Sequence, residues 1–224
     1  LMNTGDKKIY SKNKLLTTIC YQLKGKPTYA LEGSIFIAGA GVQWLRDKIK
    51  LINNAHETEK ISKSLKSNSG VYMVPAFVGL GAPYWDSEAR GVLSGLTRNT
   101  GIKEIVRAVM ESTAYQSYDL FRAMKDDGLK PTIIKVDGGM VKNNWFSQFL
   151  SNVLNIKVYR PYVDETSALG VAFMAGVKIG VYKSFNDITK KWKTNKIFKP
   201  KIKNKIRREL IVGWSKAIRK TLIH

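Results

Sequence analysis

Ile133-Ile134-Lys135-Val136-Asp137-Gly138-Gly139-Met140-Val141-Lys142-Asn143-Asn144 reads as a buried strand, an Asp-Gly-Gly turn and the opening of a helix. Glycines at a strand-to-helix turn let the backbone approach a ligand with no Cβ in the way. The N-terminus of the following helix offers free N–H groups to a phosphate or another anion. Asn143, one turn in, is within reach of the same ligand. The pattern equally suits an ordinary glycine turn, and the chemistry of the stretch alone does not separate the two readings. It is neither the phosphate loop G-x-x-x-x-G-K-[ST] nor the dinucleotide fingerprint, since Gly79-Leu80-Gly81 lacks a third glycine.

Outward from this stretch, strands alternate with helices. Leu15 to Tyr21 and Thr28 to Leu31 read as strands joined by a turn around Gly25 and Pro27. Phe36 to Ile52 reads as a helix, and Glu59 to Leu65 as a shorter one that Thr58 caps. Val71 to Pro75 and Gly91 to Leu96 are short strands flanking a loop. Ile102 to Met124 is the clearest helix, with Ile102, Ile105, Val106, Val109, Leu120 and Met124 at the 3.6 period and Gly128 closing it. Thr132 to Val136 is a buried strand, Val141 to Leu154 a helix, Ile156 to Tyr159 a strand, and Thr166 to Ile179 a helix ending at Gly180. No solenoid-period repeat or low-complexity block is present. The alternation indicates an α/β fold.

The 224 residues are 44% hydrophobic and 10% aromatic, too rich in core-forming side chains for a disordered chain. One cysteine, Cys20, excludes a disulfide framework and a cysteine-rich zinc site and fits a reducing compartment. No run approaches the roughly 20 apolar residues of a membrane span. The formal charge is +21 and is uneven: residues 183–224 carry 14 basic and two acidic side chains. Such a tail suggests nucleic-acid or anionic-membrane binding. Its lysines are interspersed with Asn and Ile, however, and Ile206, Leu210, Trp214 and Ile218 form a helical seam that favours docking on a core. Residues 1–182 are therefore taken as the main domain and 183–224 as its basic helical extension.

Three loops carry the chemistry. Ala38-Gly39-Ala40-Gly41 opens or interrupts a helix, where glycine costs about 1 kcal/mol relative to alanine. Close approach of a ligand, with Gln43 one turn on, and tight packing on a sheet explain it equally. The Asp-Gly-Gly turn is the second. Gly79-Leu80-Gly81-Ala82-Pro83-Tyr84-Trp85-Asp86 is the third, and its aromatics read as structural, folded back on the body. His56 and His224 are far apart, so a histidine-based catalytic site is not expected. Asp126-Asp127 and Asp164-Glu165 sit at element boundaries in helix-end or turn roles. Glu111, inside an apolar helix, reads as a buried, hydrogen-bonded carboxylate.

The stretch 91–111, from Gly91 and Gly95-Leu96 through Glu104-Ile105 to Ala108 and Glu111, resembles the carboxy-terminal signature of the FGGY carbohydrate kinases. Gly79 to Asp86 and Tyr29 to Asp47, with Ala-Leu-Glu-Gly and Gln-Trp-Leu-Arg-Asp, resemble the glycerol kinase branch of that family. The resemblance runs from Leu1 to about Lys220. It implies an actin-like ATPase architecture of two ribonuclease-H-like domains around a cleft, of which this chain resembles the second. It also implies that Gly39, Gln43, Gly138, Gly139 and Asn143 belong to a nucleotide site, although the turn by itself also accounts for Gly138.

The family transfers the γ-phosphoryl of ATP to a polyol, with Mg²⁺ and a carboxylate that accepts the hydroxyl proton. In such proteins the amino-terminal domain carries the first phosphate loop, a metal-associated Asp and most polyol contacts. Leu1-Met2-Asn3-Thr4-Gly5 resembles the strand after a Gly-Thr-Gly loop. The expectation is therefore a carboxy-terminal, ATP-binding half of a glycerol kinase, a fragment of sequence or of a truncated gene, with no catalytic residue; alone it is expected to turn over no glycerol and to bind ATP weakly or not at all. Its implied partners are ATP or ADP, and glycerol through the other domain, in the cytoplasm. Two alternatives remain: a kinase of the family acting on another sugar such as a pentulose, and a non-catalytic basic binding protein. The sequence leaves a homo-oligomer open.

Overall fold

The computed structural model describes residues 1–23, 25–163 and 165–222. The first sheet is antiparallel, in the order β1-β3-β2, from β1 (Met2–Gly5), β2 (Leu16–Leu23) and β3 (Lys26–Glu32). Pro27 lies within β3, opposite Gln22, and not in the expected turn. β1 reaches β3 only at Tyr29, Ala30 and Leu31, so no neighbour on that side needs the N–H that proline lacks. A second sheet pairs β4 (Tyr72–Val74) with β5 (Val92–Ser94).

The third sheet contains the opening stretch. β6 (Ile133–Lys135) runs parallel to β7 (Lys157–Pro161), and β8 (Thr194–Phe198) joins β7 antiparallel. Parallel neighbours need a crossover. Here it is a 3₁₀ turn, Gly139–Lys142, followed by a helix. β6 is partly exposed, Ile133 at 46%, where a buried strand was expected. Its sequence is apolar, but β7 covers only one of its edges among the described strands.

Seven helices are described: α1 (Gly39–Asp47), α2 (Glu57–Ser64), α3 (Ile102–Asp126), α4 (Asn144–Leu154), α5 (Thr166–Lys178), α6 (Phe185–Lys191) and α7 (Asn204–Thr221). α1 is much shorter than the expected 36–52, because Ala38 is not helical and Lys50 has φ +52°. α2 starts before Thr58, so Thr58 is a helical residue and not the cap. α4 starts after Asn143, which is its N-cap: the Asn143 Oδ1 accepts from Phe146 N–H at 3.0 Å. The expected helix from Val141 gives way to the 3₁₀ turn because Asn143 leaves the helical region, at φ −69° and ψ 110°.

α3 is the axis of the core and packs against β4, α1, α2 and α4. Glu104 Oε2 accepts from Gly101 N–H at its start, and Gly128, at φ +87°, follows its end. The final basic segment is integrated into this body: β8 extends the third sheet, and α7 packs on β4 and β5. Of the α7 seam, Trp214 and Ile218 are buried, Leu210 packs against the core, and Ile206 is 46% exposed. Trp214 stacks on Tyr115 at 5.3 Å and donates its Nε1–H to Asp119 at 2.7 Å. Burying a tryptophan contributes about 4–6 kcal/mol as an upper figure.

The loop 79–86 folds back on the same body, as its aromatics suggest. Tyr84 O–H donates to Asp119 at 2.8 Å and Trp85 Nε1–H to the Lys14 carbonyl at 2.7 Å. Asp119 thus joins α3, α7 and this loop. Burial pushes its carboxyl above the usual range, against the pull of its Trp214 and Tyr84 hydrogen bonds. Glu111 is fully buried. It accepts from Arg107 Nε at 2.7 Å and from Tyr115 O–H at 2.8 Å. Asp127 follows α3 and accepts from Ser11, Lys12 and Asn13. Asp164 and His224 lie outside the described residues.

Candidate functional site

The Asp-Gly-Gly turn sits at the carboxyl end of a parallel strand, where open α/β sheets commonly bind ligands. Gly138 has φ +94°, a conformation that favours glycine. The turn brings Gly139, Met140, Lys142 and Asn143 to one wall of a cavity of about 390 Å³. α1 supplies Gly39, Val42, Gln43 and Arg46 to it. α2 and the residues before it supply Ala55, His56, Thr58 and Glu59, and α3 supplies Met110.

Four of the five singled-out residues, Gly39, Gln43, Gly139 and Asn143, therefore meet in one cavity although 100 residues separate Gly39 from Gly139. Gly138 is next to its wall and not part of the lining. The two readings of the first glycine motif divide between its two glycines. A Cβ on Gly41 would meet Val109 Cγ1 at 3.0 Å, so Gly41 permits packing of α1 on α3. A Cβ on Gly39 would come no closer than 3.9 Å, to Met140, which leaves its backbone facing the cavity.

The N-terminus of α4 is not the open anion site that the turn suggested. Phe146 N–H is taken by Asn143, and Asn144 N–H donates to Glu59 Oε2 at 3.3 Å. A protein carboxylate already satisfies the place an anion would take. Burial alone would push the Glu59 carboxyl up, but hydrogen bonds from Lys63 and Asn144 outweigh it and hold the group below its usual range.

Two supports hold the turn. On one side, Asn143 Nδ2 donates to Thr58 Oγ1 at 3.2 Å. On the other, Arg160 Nη1 donates to the carbonyls of Val141 and Lys142, at 2.9 and 3.2 Å. Asn195 of β8 accepts from Arg160 Nε and Nη2. Arg46 lines the cavity while forming an exposed pair with Asp47.

The sequence reading missed Arg46, His56, Thr58, Glu59, Met110 and Met140. Arg46 was within reach, one helical turn beyond Gln43 on the same helix. Thr58 and Glu59 carried no signal, because their partners lie 85 residues away.

The sequence pattern of the FGGY family of carbohydrate kinases, C-terminal domain, matches residues 1–179. The chain belongs to this family. Glycerol kinase 1 of Pseudomonas aeruginosa is 54% identical over 220 residues, covering 98% of this chain and 44% of that relative. The glycerol kinase of Gluconobacter oxydans is 52% identical over 223 residues, with 99% and 44% covered. The chain thus spans less than half the length of these relatives. The Plasmodium falciparum glycerol kinase solved with ADP superposes with a TM-score of 0.91 at 39% identity, over 99% of this chain and 45% of that one. A Lactobacillus acidophilus xylulose kinase superposes at 0.82 with 22% identity, over 97% and 44%, a likeness of fold alone. The FGGY chain described here has the actin-like ATPase fold of these sugar kinases.

Proposed function

We propose that the chain is the nucleotide-binding portion of an ATP-dependent phosphotransferase whose acceptor is the hydroxyl of glycerol, giving ADP and glycerol 3-phosphate. The observation that carries the reading is the cavity where Gly39, Gln43, Gly139 and Asn143 meet. Val42, Met110 and Met140 offer apolar walls for a planar base, and the two carboxamides offer donors and acceptors for its edge. The ADP-bound relative supports the nucleotide, and the names of the relatives support the acceptor. Such a kinase with one free cysteine, Cys20, is assigned to the cytoplasm in this reading. Among the described residues no helix is long and apolar enough to cross a membrane.

Phosphoryl transfer is catalysed by positioning and electrostatic stabilisation, with little covalent chemistry for the protein. In this reading Gly39 and Gly139 let the backbone approach the nucleotide, and Gln43 and Asn143 orient it. Glu59 is the carboxylate lining the cavity among the described residues, and it is held weakly basic by Lys63 and Asn144. It is a poor acceptor for a hydroxyl proton, so we assign that role, like the polyol contacts, elsewhere in the full enzyme. Among the described residues no group of three or more His, Cys, Asp or Glu could hold a metal. The residues present do not by themselves fit a magnesium site. We treat residues 1–182 and 183–224 as one working unit, because Asn195 holds the arginine that supports the turn.

Two measurements test the reading. Titration of the purified chain with ADP should move backbone signals of Gly39, Gly139 and Asn143, and Asn143→Ala should weaken binding roughly tenfold. Unmoved signals at millimolar ADP would defeat the assignment. The same chain should release no ADP in a glycerol-dependent assay, and measurable release would show that the proton acceptor has been misplaced.

A further inference from the structure

We propose that Thr58 is a positioning residue that fixes which way the Asn143 carboxamide faces and thereby sets the cavity's discrimination between nucleobases. The proposal rests on the nucleotide reading of that cavity. A carboxamide has two ends of similar shape and opposite hydrogen-bonding character. At Asn143 both ends are determined. Phe146 N–H can only donate, so Oδ1 turns toward it, at 3.0 Å. Nδ2 then faces Thr58 Oγ1 at 3.2 Å.

The Thr58 hydroxyl has a single hydrogen, and it goes to the Ala55 carbonyl at 2.7 Å. Toward Asn143 the hydroxyl can therefore only accept. The run from Asn143 Nδ2 through Thr58 Oγ1 to the Ala55 carbonyl is anchored at both ends by backbone groups whose polarity cannot reverse. A flipped amide would set its NH₂ against Phe146 N–H and its oxygen against a hydroxyl lone pair. Thr58 is 2% exposed, so water is poorly placed to replace the lost bond. Ala55, Thr58 and Asn143 all line the cavity, so the relay that fixes the amide is built into its wall.

The amide's remaining hydrogen and lone pairs consequently meet a ligand in one polarity. Adenine and hypoxanthine have nearly the same outline, but adenine carries an amino donor at position 6 where hypoxanthine carries a carbonyl acceptor. A site with buried polar groups of fixed polarity separates such a pair, and a freely turning amide does not. Thr58→Val keeps the side-chain shape and removes the hydroxyl, leaving Nδ2 without its acceptor and the amide held against turning by the Phe146 N–H bond alone. Thr58→Ser keeps the hydroxyl.

The test uses the whole ¹⁵N-labelled chain, titrated to millimolar ADP or IDP and followed by NMR, with the Asn143 side-chain amide identified by its loss in Asn143→Ala. The wild type should favour ADP over IDP by roughly tenfold. Thr58→Val should bring the two affinities within roughly threefold, and Thr58→Ser should retain the preference. A folded Thr58→Val protein with the wild-type ratio overturns the role of Thr58 and leaves the nucleotide reading standing. A wild type that responds to neither nucleotide overturns the nucleotide reading and the proposal together. A further arm needs no Thr58 variant: the wild-type Asn143 side-chain amide should exchange with solvent more slowly than exposed asparagines. Exchange as fast as theirs shows an unfixed amide and also overturns the proposal.

Discussion

α3 and α5 teach opposite lessons about apolar helices. α5 reads Thr-Ser-Ala-Leu-Gly-Val-Ala-Phe-Met-Ala-Gly-Val-Lys, the more apolar of the two, yet Gly176 is its one buried residue. Val171 is 70% exposed and Met174 48%. α3 carries many polar and charged side chains, and fifteen of its 25 residues are buried, including Arg107, Glu111 and Asp119. Burial follows the neighbours an element finds and not its own hydropathy. α3 lies among β4, α1, α2 and α4, and its polar groups find partners there.

The largest effect that could break this contrast is at Glu111. Glu111→Ala leaves Arg107 buried with its charge unpaired, and chemical denaturation should show a loss of about 3–5 kcal/mol. A loss below about 1 kcal/mol would mean that the buried pair is not the constraint described. Met110→Ala in the same helix should cost about 2–5 kcal/mol, since Met110 is 1% exposed. Tyr84→Phe tests the tie between the 79–86 loop and α3. It removes one of the donors to Asp119 and should cost about 1–3 kcal/mol.

A smaller effect belongs to Asp127, just past the end of α3, and depends on pH. Its burial pushes the carboxyl up, but the hydrogen bonds of Ser11, Asn13 and Lys12 hold it below the usual range. A depressed carboxylate contributes stability that is present above the unfolded value of about 3.9 and lost as pH falls through the folded value. The melting-temperature gap between the wild type and Asp127→Asn should therefore narrow between pH 6 and pH 3; a constant gap would contradict the assigned cause. The smallest change should be Met174→Ala on α5, within about 0.5 kcal/mol. If it matched Met110→Ala in cost, the contrast between the helices would fail.

Much of this molecule was legible from local pattern. The strand-turn-helix at 133–144, the long helix from Ile102 and the docked seam of α7 all follow from periodicity, and so does the buried role of Glu111. Boundaries were less legible. The α1 end near Asp47 and the α4 start at Asn144 depend on backbone angles at Lys50 and Asn143, which residue type alone does not dictate. For the candidate site, the glycines and carboxamides announced themselves, whereas Thr58, Glu59 and Arg160 did not. Their hydrogen-bond partners are remote in sequence or lie on backbone carbonyls that leave no trace in residue identity.

The sequence by itself determined the α/β alternation and the residue types that could approach a ligand. It did so because glycine freedom, helical periodicity and amide chemistry are properties of short stretches. Only the tertiary structure decided that Gly39 and Gly139 share a cavity, that Gly41 serves packing instead, and that the helix end at Asn144 is already closed by Glu59. Those outcomes depend on which elements become neighbours. That is set by the packing of the whole core around α3, where each surface is either covered, as at Met110, or left open, as at Met174.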